Sequence, residues 1–132
     1  MDRLAKEGDA HAFAFTKPKV EGLNWSFSGL KTQVLQFLQQ QLNQDPEFVT
    51  RRKEDLCASI QHTIVSMLLD QVAAAADQEG IADVAIAGGV SANSGLRMAL
   101  TELGDERGWN VYIPPMGYCT DNAAMILSLI HI

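Results

Sequence analysis

Cysteine is scarce in this chain. Cys57 and Cys119 are the only two among 132 residues, and no CxxC joins them. That usage fits a reduced, cytoplasmic protein better than a disulfide scaffold. Long apolar runs are also missing. No stretch approaches the roughly 20 residues needed to span a bilayer, so no membrane segment is expected. Asp2, Arg3, Lys6 and Glu7 interrupt the opening residues, which therefore do not read as a signal peptide. Positive charge is in short supply. Ten Lys and Arg face sixteen Asp and Glu, for a net charge of −6. A whole-domain electrostatic footprint for nucleic acid is thus absent, and Arg51-Arg52-Lys53 reads as a solvated helix start. Catalytic signatures are equally few. There is no HExxH, no P-loop and no GxGxxG. His11, His62 and His131 share no metal-ligand spacing. Ser26, Ser28 and Ser94 have no histidine and carboxylate nearby in sequence to suggest a triad.

What is present is globular in character. Apolar residues make up 47% and charged residues 20%, close to the average for folded domains. A chain this long reads as about one domain, and folding hides roughly 65% of its extended surface. Residues 1–10 look like the tail of a helix ended by Gly8-Asp9, which suggests a chain that opens mid-protein. Phe13 and Phe15, then Trp25 and Phe27, alternate with period two around a turn-rich stretch. That pattern predicts a hairpin with a long loop. Leu30, Val34, Leu35, Phe37, Leu38 and Leu42 form a helical stripe, ended by Asn43, Asp45 and Pro46. A second helix is expected from about Lys53 to Glu79, burying Leu56, Ile60, Ile64, Met67, Leu68 and Val72 and stopping at Gly80. His62 reads as an ordinary surface histidine of that helix.

The last third alternates strand and helix. Residues 84–87 predict a strand turned by Gly88-Gly89, and Ser94 to Arg107 a helix closed by Gly108. Residues 111–113 predict a second strand stopped by Pro114-Pro115, and Asn122 to Leu127 the start of a last helix. Such short links argue a parallel sheet with right-handed crossovers.

Two turns are candidate sites. Gly88-Gly89-Val90-Ser91-Ala92-Asn93 joins the carboxyl end of a strand to a helix, where open α/β sheets bind ligands. Its glycines let a ligand approach the backbone. The helix start favours a phosphate or carboxylate. The Asn93 amide suits a ribose or base edge. The same residues also suit a plain tight turn with a helix cap. Cys119-Thr120-Asp121-Asn122 is the second turn. Asp121 suits a helix cap, or a hard oxygen ligand of a metal completed from elsewhere.

Three segments carry a resemblance. Residues 25–32, WSFSGLKT, resemble the FSFSGLKT signature of the universal tRNA threonylcarbamoyladenosine-modifying family, formerly called glycoprotease. Residues 88–93 resemble its GGVxAN loop, and residues 119–126, CTDNAAMI, its C-terminal signature. The resemblance covers about residues 1–126 and corresponds to the C-terminal part of a member. Residues 127–132 do not continue the pattern and read as an atypical tail, whose native and non-native origins both stay open.

The resemblance implies an α/β fold, part of an actin-like ATPase domain of the ribonuclease-H-like class. It implies transfer of threonylcarbamoyl from an adenylate to N6 of the tRNA adenosine beside the anticodon. Gly88, Gly89 and Asn93 are implied as adenylate contacts, and Asp121 as a ligand of an iron or zinc ion. The family's other metal ligands, a histidine pair four residues apart, do not occur here, so the chain alone is expected to hold no metal tightly and to be inactive. The implied partners of an intact member are tRNA, a paralogous actin-like subunit and an ATPase subunit. The chain alone is expected to form a homodimer through the hairpin or an open sheet edge. A non-catalytic nucleotide- or partner-binding module is the alternative. The metalloprotease of the old label is a weaker one, and these residues offer no support for peptidase chemistry.

Overall fold

The computed structural model describes residues 1–119 and divides the chain into two compact units, Met1–Gly80 and the residues from Ile81 onward. The first is helical: α1 is Asp2–Ala5, α2 is Phe27–Gln44 and α3 is Phe48–Glu79. The second contains β1 (Asp83–Ala85), a 3-10 turn (Gly89–Ala92), α4 (Ser94–Arg107), β2 (Asn110–Tyr112) and a short turn at Met116–Tyr118. The architecture is α/β, mostly helical, with one two-stranded parallel sheet. The expected last helix from Asn122 falls outside the described residues.

The predicted hairpin does not form. Among the described residues, none from 6 to 26 is in a strand. Phe13 sits in a bend and residues 14 and 15 in no regular element, and side chains rather than a partner strand bond this segment's backbone. The Phe13 N–H donates to Ser59 Oγ at 3.1 Å. The Thr16 N–H donates to Gln33 Oε1, and Gln33 Nε2 donates back to the Thr16 carbonyl, both at 3.0 Å. Phe13 and Phe15 both turn onto Phe37, with ring centroids 5.2 and 5.6 Å away. Phe48 closes the cluster, 5.7 Å from Phe13 and 5.9 Å from Phe37. Tilted and edge-on rings at these distances add favourable quadrupole contacts to the apolar burial. Trp25 and Phe27 do not share a strand face either: Phe27 opens α2, with Ser26 as its extended cap residue.

The stretch after α1 lies tightly along α3. A Cβ on Gly8 would sit 2.2 Å from the Glu54 carbonyl group, so only glycine fits there. Ser59 is 1% exposed and bridges the two segments, donating to the Asp9 carbonyl at 3.2 Å while accepting from Phe13.

α2 ends at Asp45, as its stop signals require. α3 begins at Phe48 rather than Lys53, but Arg52 leaves helical geometry at φ −120° and ψ 21°. The uninterrupted helix therefore starts at Lys53, and Gly80 ends it in the left-handed region at φ 65°. Its expected single stripe is too narrow. Leu56 and Met67 are buried and Ile60, Ile64, Leu68 and Val72 are half-buried, while Ala58, Ser59, Thr63, Val65, Ala73 and Ala76 are buried too. A helix with partners on two sides needs small residues on both, and a one-faced helical reading misses them.

In the second unit, β1 and β2 pair in parallel with Val84 opposite Val111. The Ile86 N–H donates to the Tyr112 carbonyl at 3.1 Å and the Asn110 N–H to the Ala82 carbonyl at 2.8 Å. α4 buries Leu96, Leu100 and Gly104. Gly108 stops it in the left-handed region at φ 70°, with the Trp109 N–H returning to the Gly104 carbonyl at 2.9 Å.

Candidate functional site

The glycine turn follows β1 at its carboxyl end. Gly88 has φ 78° and ψ 178°, a conformation that only glycine visits readily. Its carbonyl turns inward and is held twice, by the Ser91 N–H at 3.0 Å and by Ser91 Oγ at 2.6 Å. Ser91 is 1% exposed, so this latch is internal to the turn. The outer side is open. A Cβ built on Gly88 or on Gly89 meets no atom within 4 Å among the described residues. Val90, at the crest, is 65% exposed.

Asn93 caps α4. Its Oδ1 accepts the Leu96 N–H at 2.9 Å, and its carbonyl accepts the Arg97 N–H at 3.2 Å. The turn-and-cap reading is therefore realised. The cap also uses an amide of the helix start that the ligand-loop reading counts as free, and the Asn93 N–H bonds the Val90 carbonyl at 3.0 Å. The open approach is to the backbone at Gly88 and Gly89. Gly88, Gly89 and Asn93 occupy one continuous turn, as their order predicts.

The neighbouring strand leads to a second turn. β2 ends at Tyr112, Pro114 and Pro115 follow, and Met116–Tyr118 form a single 3-10 turn before Cys119. Cys119 is 1% exposed. Because β1 and β2 are parallel neighbours, the two turns leave the same edge of the sheet. Asp121 lies outside the described residues.

Arg97 was not singled out from the sequence, yet it reaches this whole edge. Its Nε donates to the Ser91 carbonyl at 2.6 Å and its Nη2 to the Pro114 carbonyl at 2.5 Å. Nη2 also lies 3.0 Å from Cys119 Sγ. The one sequence signal for it is a cation in the first turn of α4, between the buried Leu96 and the exposed Met98, where a helix start disfavours positive charge.

The histidines contain a surprise. His11 and His62, unrelated by spacing, bring their rings edge to face with centroids 4.8 Å apart. They border a cavity of about 220 Å³ with Phe13, Phe15, Thr63 and Ser66. Two imidazoles are too few for a tightly held transition metal. Among the described residues no three His, Cys, Asp or Glu side chains come together to hold a metal ion. The described residues therefore do not fit an iron or zinc site. One carboxylate has a displaced pKa. Asp55 is held below the usual carboxylate range, first by the Asp9 N–H it accepts at 2.9 Å, then by its bond to Arg52 at 2.7 Å.

Comparison with known proteins gives one consistent result. The family model described as tRNA N6-adenosine threonylcarbamoyltransferase matches residues 1–128. A protein of that name from Christiangramia forsetii is 55% identical over 126 residues, covering 96% of this chain and 37% of its own length. One from Riemerella anatipestifer is 51% identical over the same coverage. One from Salinibacter ruber is 41% identical over 127 residues, covering 96% of this chain and 38% of its own length. The chain thus spans a little over a third of the length of the curated relatives it matches.

Proposed function

Because the chain belongs to the tRNA N6-adenosine threonylcarbamoyltransferase family, we propose that its residues form one wall of the cleft where a full-length member carries out that transfer. The acyl group moves from a threonylcarbamoyl adenylate to N6 of the tRNA adenosine beside the anticodon. The observation that carries the reading is the open glycine turn at the carboxyl edge of a parallel strand pair. A phosphate or ribose can approach the Gly88 and Gly89 backbone there without meeting a Cβ, next to the positive end of α4. Asn93, pinned by its own cap, stands at the base of that approach. The surrounding fold is proposed as part of an actin-like domain. Asp121 is proposed as one oxygen ligand of an iron or zinc ion. Such ions take three or more protein ligands, so the 132-residue chain is proposed to hold none tightly and to catalyse no transfer by itself.

The partners proposed for the full-length protein are tRNA, a paralogous actin-like subunit and an ATPase subunit, in the cytoplasm. No helix among the described residues is long and apolar enough to cross a membrane. For the chain alone, self-association is proposed through apolar side chains left in water. Trp25 is 48% exposed, Phe27 43% and Leu23 36%. These take over the role first given to a hairpin.

The test is Gly89→Val in a full-length family polypeptide carrying these residues. Gly89 has no positive φ and open space around it, so valine leaves the fold intact while filling the ligand's approach. ATP or adenylate affinity measured by calorimetry is expected to fall well beyond tenfold, about 1.4 kcal/mol. Unchanged affinity would leave the turn as a turn and nothing more.

A further inference from the structure

The two turns at the sheet edge share one side chain. The Arg97 guanidinium holds the Ser91 carbonyl of the glycine turn, the Pro114 carbonyl after β2, and the thiol of Cys119. These acceptors lie on two stretches of chain, Ser91 on one and Pro114 and Cys119 on the other. The segment from 113 to 119 contains two prolines, which donate no backbone N–H, so it has few ways to hydrogen-bond onto the glycine turn by itself. Instead its Cys119 N–H closes locally on the Met116 carbonyl at 3.2 Å. The hydrogen bonds of Arg97 join the two turns beyond the strand pair. A planar fork with fixed N–H directions can serve several acceptors in one geometry, and an ammonium cannot reproduce it.

We propose that Arg97 is the positioning residue of this edge. It locks the glycine turn to the Cys119 turn, so that the two present a single preformed surface to the nucleotide. This rests on the adenylate reading of the glycine turn. Arg97 itself points inward to carbonyls and a buried thiol, and it acts on a ligand through Ser91 and Cys119.

Two measurements test it. The first needs no nucleotide and uses the 132-residue chain with Cys57→Ser, so that Cys119 is the sole thiol. Arg97→Lys and Arg97→Gln are compared with the parent for labelling of Cys119 by a thiol reagent and for amide hydrogen exchange. Both variants should label Cys119 at least tenfold faster. They should also speed exchange together at residues 91–93 and 116–119, while amides 100–103 inside α4 keep their protection. Loosening of one segment alone, or of neither, overturns the proposal. So does loss of protection within α4, which would make Arg97 a residue of general stability.

The second measurement reads the coupling, in a full-length family polypeptide carrying these residues. Saturating ATP should slow exchange in both segments of the parent, but only at 91–93 in Arg97→Lys. ATP protection of both segments in Arg97→Lys overturns the proposal. ATP that protects neither segment of the parent overturns the adenylate reading, and the nucleotide-free measurement then still decides whether Arg97 ties the turns together.

Discussion

Thr16 and Gln33 satisfy one another in both directions. The Thr16 N–H donates to Gln33 Oε1 and the Thr16 carbonyl accepts from Gln33 Nε2, each at 3.0 Å. A side-chain amide has one acceptor and donors on a single planar group, so it imitates the edge of a β-strand. α2 thereby supplies, through one glutamine, the pairing that a second strand would have given.

Gln33→Ala removes both bonds at once. A typical hydrogen bond contributes a net 0.5–1.5 kcal/mol, so the loss should be about 1–2 kcal/mol in urea denaturation. A change below about 0.3 kcal/mol would show that water replaces the glutamine without cost.

Gly104 faces Val111 across the α4–β2 contact. A Cβ at 104 would lie 2.4 Å from a Val111 methyl, and valine cannot swing aside easily. Gly104→Ala should destabilise, because overpacking of about 1–3 kcal/mol outweighs the roughly 1 kcal/mol gained in helix propensity. In a Val111→Ala background the same change should become stabilising. A thermal double-mutant cycle reads this sign reversal, and additive effects would refute the contact.

Asn93→Ala should cost about 1 kcal/mol of stability through loss of the Leu96 cap. Asn93→Asp keeps an oxygen at the cap and should keep that stability. In a full-length family polypeptide, however, it places a negative charge beside the proposed adenylate site, and ATP binding should fall. Equal ATP affinity in Asn93→Asp and parent would remove Asn93 from the ligand's surroundings.

Asp55 makes the docking of residues 8–13 on α3 sensitive to acid. Its pKa is lowered in the folded state, so the contribution is complete above the unfolded carboxylate value of about 3.9. It is lost as pH falls through the lower folded value. Asp55→Asn should flatten the pH dependence of stability below about pH 4. The parent and the variant should also differ there in hydrogen exchange at the Asp9 amide, and identical acid limbs would contradict the assignment.

Sedimentation of the chain at micromolar concentration tests the proposed self-association. A species near twice 14.4 kDa is expected, and Trp25→Ser with Phe27→Ser should shift it toward monomer. A folded monomer for the parent would show that the exposed aromatics need no cover.

The sequence by itself determined the local parts of this protein. The α2 helix, the Ser94–Arg107 helix between Asn93 and Gly108, the stop at Gly80, and the presence of two short strands around a glycine turn were legible, although Leu35 and Leu42 of the expected α2 stripe are exposed and the strands run over Asp83–Ala85 and Asn110–Tyr112 rather than 84–87 and 111–113. Each depends on periodicity, caps or left-handed glycines within a few residues of one another. The candidate turn at Gly88–Asn93 was readable for the same reason. Tertiary structure alone decided the rest. Whether Phe13 and Phe15 pair with a strand or pack on Phe37 depends on Ser59 and Gln33, which lie far along the chain. His11 meets His62 only because residues 8–13 lie against α3. Arg97 gains its three partners only once β1 and β2 stand side by side. A side chain's local pattern reveals which face it occupies, but the partners that satisfy its polar atoms are chosen by packing between segments distant in sequence.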